Sequence, residues 1–217
     1  MVRETYHKDL HKLREDIVNM GGLVGKTIGD AVLSLKDRDV ELAQKVIDMD
    51  KEIDALDHSI EENCMRLLAL QQPMARDLRL IISVLRMSID LERIGDLALE
   101  ISVITKMTAN VPPVKPLIDI PRMAEICQQM LTDTMSAFEN KDVELAKQVA
   151  RRDDEIDALF DQIRRELISF MIEDPKKITG AQHLTFVARY LERIGDHITN
   201  LCESVVFMVT AVRLELN

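Results

Sequence analysis

The chain has 217 residues and a formal net charge of −10; aromatics make up 3%, and glycine and proline are few. This composition excludes a phosphate-backbone binder, which needs a basic face. It also argues against a β-rich fold, because the prevailing Leu, Ile, Met and Ala side chains lose little freedom in a helix.

The first apolar stripe is Leu10, Leu13, Ile17, Met20, Val24, Ile28, Ala31 and Leu35, stepping by three or four as one face of a long helix does. Gly21 and Gly22 do not break its phase, so a kink or a close approach is expected there rather than an end. Lys36 to Asp39 reads as a short turn with acidic N-cap candidates. A second stripe, Leu42, Val46, Met49, Ile53, Leu56, Ile60 and Leu67, runs to Gln72-Pro73, and Pro73 suits the first turn of a third helix. That helix carries Leu80, Val84, Met87, Leu91, Ile94, Ala98 and Ile101. Val111-Pro112-Pro113-Val114-Lys115-Pro116 then forms the one proline-dense stretch, a natural seam.

Beyond the seam the pattern restarts. Asp142-Val-Glu-Leu-Ala repeats Asp39-Val-Glu-Leu-Ala, and the run from Asp153 to Leu159 repeats the run from Asp50 to Leu56. Leu191-Glu-Arg-Ile-Gly-Asp196 repeats Leu91-Glu-Arg-Ile-Gly-Asp96 letter for letter. The offset is 103 residues for the first two matches (Asp39 to Asp142) and 100 for the third (Leu91 to Leu191). Asp174-Pro175 restarts the last helix as Gln72-Pro73 does. The expected fold is all-α: two tandem three-helix bundles, six long antiparallel helices in all, with repeats at 1–110 and 121–217 and a linker at 111–120.

Each repeat carries two acidic pairs at i, i+4: Asp50/Asp54 and Glu92/Asp96, then Asp153/Asp157 and Glu192/Asp196. Such a pair shares one helix face, and like charges there cost a few tenths of a kcal/mol. A cost repeated four times asks for a positive partner. Asp54 and Glu92 stand 18 and 20 residues from Gln72, so each lies roughly 27–30 Å from the turn at 1.5 Å per residue. Four carboxylates per repeat are therefore expected at one level, beside the apolar seam. Carboxylates without His or Cys suit hard or borderline cations, magnesium, manganese, calcium or iron, with zinc disfavoured. The plainer reading is a solvated acidic face with Arg93 or Arg193 as counter-charge. Gly95 and Gly195 cost roughly 1 kcal/mol each inside a helix, which points either to close helix contact or to access to the acids.

Catalytic constellations are missing. A di-iron oxidase would place Glu-x-x-His pairs on two core helices, and no phosphate loop or nucleophile elbow stands out. Cys64, Cys127 and Cys202 lack metal-ligand spacing and read as buried thiols of a reducing compartment. No apolar run approaches the ~20 residues of a membrane span, and the charged start lacks the apolar core of a signal peptide, so a cytoplasmic location is expected.

The chain resembles the PhoU family of phosphate-transport regulators. The resemblance rests on Met20-Gly-Gly22, Gln72-Pro-Met-Ala-Arg-Asp-Leu-Arg79, the doubled Leu-Glu-Arg-Ile-Gly-Asp and Met171-Ile-Glu-Asp-Pro175. It implies two three-helix bundles with multinuclear metal sites on E(D)xxxD motifs, which map onto Asp50, Asp54, Glu92, Asp96, Asp153, Asp157, Glu192 and Asp196, with Asp154 as a substitute for Asp153. It further implies a non-enzymatic adaptor between the ATPase subunit of a phosphate ABC transporter and a membrane sensor histidine kinase. Such an adaptor damps phosphate-starvation signalling and touches the membrane only through its partners. An apolar edge at Leu78, Ile82 and Leu85 suggests a homodimer. The competing expectation is a carboxylate helical bundle that stores or oxidises metal.

Overall fold

The computed structural model describes residues 2–216, with side chains from Tyr6 onward. Helix α1 spans Val2–Asp37, α2 Val40–Gln71, α3 Ala75–Thr108, α4 Asp119–Asn140, α5 Val143–Ala150, α6 Asp153–Glu173 and α7 Ile178–Thr210. A 3-10 turn, Pro175–Lys177, precedes α7. These are the six expected helices, with the fifth in two pieces: Arg151 and Arg152 form a turn between α5 and α6. Every residue of the first and third stripes is buried, and the second stripe is buried at Val46, Ile53, Ile60 and Leu67.

The two N-caps of the duplicated Asp-Val-Glu-Leu-Ala segment are the same bond twice. Asp39 Oδ1 accepts from the Leu42 amide at 2.9 Å, and Asp142 Oδ1 from the Leu145 amide at 3.0 Å, which occupies a donor that the helix leaves free. The two proline restarts differ. Pro73 stands outside α3, because Gln72 closes α2 in the left-handed region at φ 45° and Met74 stays extended as the cap of α3. Pro175 does enter a helical turn, since Asp174 ahead of it accepts from the Lys176 amide at 3.1 Å, a capping bond that the Gln72–Pro73 junction lacks.

Two helix pairs hold the halves together. In the first, α3 packs against α7. Arg79 Nε donates to the Met208 carbonyl at 3.3 Å, while further along His197 Nδ1 and Asn200 Nδ2 lie 2.9 and 3.2 Å from Asp90 Oδ1. Residue numbers fall on α7 as they rise on α3, so the pair is antiparallel. In the second, α1 packs against α4. There Gly21 faces Met135, Gly25 faces Leu131 and Gly29 faces Gln128. A Cβ on Gly21 would sit 2.6 Å from Met135 Sδ, so this glycine marks a close approach; the helix runs on through it.

Equivalent helices thus pair antiparallel across the seam, as an approximate two-fold between the repeats requires. Helix α2 lies outside on α1 and α3, and α6 lies outside on α7. The apolar interiors of the two bundles merge into one core. Cys64, Cys127 and Cys202 are buried within it. Burial pushes the Cys64 and Cys202 thiols up to about 12, and the Cys127 thiol rises further for the same reason. No helix among the described residues is long and apolar enough to cross a membrane.

Candidate functional site

Antiparallel packing of α3 on α7 decides where the acids stand. With Asp90 opposite His197 and Asn200, the Ile94-Gly95 step of α3 falls opposite Ile194-Gly195 of α7. Both Leu-Glu-Arg-Ile-Gly-Asp motifs therefore sit at one height, near the approximate two-fold. Each turns its acids toward the outer helix of its own repeat.

In the first repeat Asp50, Asp54, Glu92 and Asp96 are all half-buried along the α2–α3 seam. Their charges act on one another. Burial, then Asp54 and Asp96, push the Asp50 carboxyl up to about 6. Glu92 is raised by burial and then by Asp96, with Arg93 opposing and Asp57 and Asp54 adding. Gly95 supplies the room: a Cβ there would meet Ile53 Cδ1 at 3.1 Å and Asp50 Oδ1 at 3.7 Å. The missing side chain thus marks close helix contact, with Asp50 at ordinary van der Waals distance.

The second repeat builds the same site with a different depth. Asp153 is buried, and its Oδ1 lies 2.3 Å from where a Cβ on Gly195 would stand. Asp154, Asp157 and Asp196 are exposed, and Glu192 is half-buried. Burial raises the Asp157 carboxyl, followed by Asp196, Asp154 and Asp161, against Arg189; Glu192 is raised by burial and then by Asp196. All four expected carboxylates of each repeat are gathered on one seam.

The counter-charges follow the sequence only in part. Arg93 pairs with Asp96 at 2.8 Å and with Glu92 at 3.4 Å. In the second repeat the guanidinium on Glu192 belongs to Arg189 and not to Arg193. Arg189 lies one helical turn before Glu192 on the same face, and it also covers the Phe160 ring, 5.9 Å from its centroid. Asp57 joins the first cluster without having been singled out in the sequence. It follows Asp54 by three residues, a spacing that shares a face, but its counterpart in the second repeat is Phe160, so the duplication hid it.

The donor chemistry suits a hard cation: oxygen ligands, charge held against its preference, and two buried oxygens, Asp57 Oδ1 and Glu192 Oε2, with no hydrogen-bond partner. The arrangement is a row at the rim of the seam and not a closed shell. Among the described residues no three His, Cys, Asp or Glu side chains converge to hold an ion by themselves.

The PhoU domain model matches the chain twice, over residues 17–105 and 120–205. A protein of Aquifex aeolicus called phosphate-specific transport system accessory protein PhoU homolog is 41% identical over 201 residues, 93% of this chain and 91% of its own. The crystal structure of PhoU from Pseudomonas aeruginosa superposes with a TM-score of 0.92 at 36% identity, covering 95% of this chain and 100% of that one. The regulatory protein PhoU of the Streptococcus pneumoniae phosphate transport system gives 0.89 at 30% identity, over 96% and 99%.

Proposed function

The chain belongs to the PhoU family of phosphate-transport accessory proteins, and on that premise we propose that it regulates phosphate uptake and phosphate-starvation signalling from the cytoplasm. It acts as a non-enzymatic adaptor, with one face on the transporter's ATPase subunit and another on a sensor histidine kinase. The observation that carries this reading is the match of both repeats to one family across the length of the chain. Deleting the gene should switch on phosphate-starvation genes in phosphate-rich medium; an unchanged response would sink the reading.

The acids give the adaptor its metal sites. Asp50, Asp54, Glu92 and Asp96 would hold one group of cations, and Asp153, Asp157, Glu192 and Asp196 the other, with iron, manganese or magnesium ahead of zinc. A bound cation supplies positive charge where several half-buried carboxylates repel one another, and so fastens the outer helix of each repeat to the inner one. Support comes from the raised Asp50, Glu92, Asp157 and Glu192 carboxyls and from the unpartnered oxygens of Asp57 and Glu192. A homodimer would use the edge of α3 at Leu78, Ile82 and Leu85, of which Leu78 is exposed and the other two half-buried; light scattering decides between one copy and two.

A further inference from the structure

At the end of the molecule where α7 stops and α3 begins, four cations converge in a protein that carries ten net negative charges. Arg14 of α1, Arg76 and Arg79 of α3, and Lys141 of the α4–α5 turn line one cavity of about 130 Å³, floored by Leu80, Met208 and Val209. That is too small for an organic ligand site, which takes about 300 Å³ or more. It is about four times the roughly 30 Å³ share of one water, which suits a small ion.

The charges there are out of balance. Among the described residues none of the four cations stands in an ion pair. Asp77, which accepts from the Tyr6 hydroxyl at 3.1 Å, acts on Arg14. Arg79 donates to the Met208 carbonyl at 3.3 Å. The first turn of α3, which opens beside Arg76, has no side-chain cap. Burial lowers the affinity of Lys141 for its proton, with Arg14 and then Arg76 adding to it; Arg14 is lowered by burial and then by Arg76.

The duplication supplies the control. Moved by the repeat offset, Arg14 becomes Leu117, Arg76 becomes Lys176, Arg79 becomes Thr179 and Lys141 becomes Arg38. The counterpart cavity is lined by Arg38, Lys115, His183, Leu35, Val114 and Leu117 among others and holds only about 50 Å³, and its Lys115 is paired with Asp119 and Glu166. Only one of the two equivalent positions gathers four Arg and Lys side chains with no ion pair among the described residues.

We propose that Arg14, Arg76, Arg79 and Lys141 form a binding site for a small tetrahedral oxyanion of the phosphate class, held between the first repeat and the second. The guanidinium groups offer forked N–H donors that match such an ion, and Lys141 adds a point charge. Because Lys141 comes from the second repeat and the three arginines from the first, the ion ties the two halves together at one end. The site rests on this geometry and stands whether or not the regulatory reading does.

The test is titration calorimetry of the full chain with inorganic phosphate, against chloride at matched ionic strength, with vesicles containing phosphatidic acid as a separate arm. One saturable site for phosphate is expected, weakened roughly tenfold or more in Arg14→Gln/Lys141→Gln and in Arg76→Gln. Removing like charges should leave the double variant no less stable in phosphate-free buffer, as a circular-dichroism melt would read. If it unfolds, Arg76→Gln, at an exposed position, decides alone. No phosphate heat above the chloride blank, equal affinity in the folded variants, or binding only to the vesicles would each overturn the proposal.

Discussion

The first and second repeats agree at the middle of the molecule and part company at its ends. At mid-height both present two acidic pairs beside a glycine, from the same letters and at the same level. At the ends, one cavity is lined by Arg14, Arg76, Arg79 and Lys141, and the other by Leu117, Val114, Arg38, His183 and a Lys115 already paired with Asp119 and Glu166. A duplicated chain keeps what both copies need and lets the rest drift, so the paired feature and the single one answer to different demands. Within the agreement there is still a difference of depth. Asp50 is half-buried with its carboxyl pushed up to about 6, whereas Asp153 is enclosed beneath Gly195.

The largest effect expected from this comparison concerns metal. Asp54→Asn with Glu92→Gln should remove bound cation from the first repeat only, and Asp157→Asn with Glu192→Gln from the second only. Metal content measured by mass spectrometry after purification without chelator should fall by about half in each case. Loss from both repeats at once, or from neither, would break the two-site picture.

Next comes the glycine pair. Gly195→Ala places a methyl on Asp153 and Ile156 at 2.3 and 3.0 Å, while Gly95→Ala meets only the ends of Ile53 within 3.4 Å. Overpacking costs roughly 1–3 kcal/mol, against about 1 kcal/mol gained from helix propensity. Urea unfolding followed by circular dichroism should show Gly195→Ala destabilised and Gly95→Ala close to neutral. Equal losses would mean that the two seams are packed alike.

A smaller effect separates the repeats by pH. Asp50 holds its proton more tightly folded than unfolded, with a folded value of about 6 against an ordinary 3.8. The metal-free protein should therefore gain stability as pH falls from 7 through 6 toward 4, and lose it again on the way up. Asp50→Asn should stabilise the metal-free protein at pH 7 by about 1 kcal/mol, discounted for solvent screening, and flatten that slope. An unchanged slope would locate the strain elsewhere. The smallest effects belong to the exposed arginines. Arg93→Ala and Arg189→Ala should each shift stability by less than about 1 kcal/mol, with Arg189→Ala the larger because its contact with the Phe160 ring goes too.

The sequence carried the architecture because the stripes and the duplication are strong, local signals. Three features escaped it for physical reasons. The Arg151–Arg152 turn has no glycine or proline to announce it; the sign was the run Asp153-Asp154-Glu155, acids massed as at a helix start. Gly25 and Gly29 follow Gly21 at four-residue spacing, but which helix they admit depends on α4 meeting α1, a contact over a hundred residues away in sequence. The cationic cavity was invisible for the same reason, since positions 14, 76, 79 and 141 are neighbours only once the two-fold packing is in place. The acids fared better because each pair shares one helix and the motif occurs twice.

The break between α5 and α6 has a further electrostatic consequence. In the first repeat Asp50 and Asp54 ride mid-helix in α2, where backbone dipoles contribute no net charge. In the second, Asp153 and Asp154 stand in the first turn of α6, with Asp157 one turn further on; the first turn is the positive pole of a helix macrodipole, which stabilises a nearby carboxylate by roughly 0.3–1 kcal/mol. Part of the counter-charge of the second cluster is thus built into the backbone, and that cluster leans less on a dissolved cation. As chelator is added, the second repeat should give up its metal first and the first repeat should hold on, one chain offering two set-points from one duplicated motif.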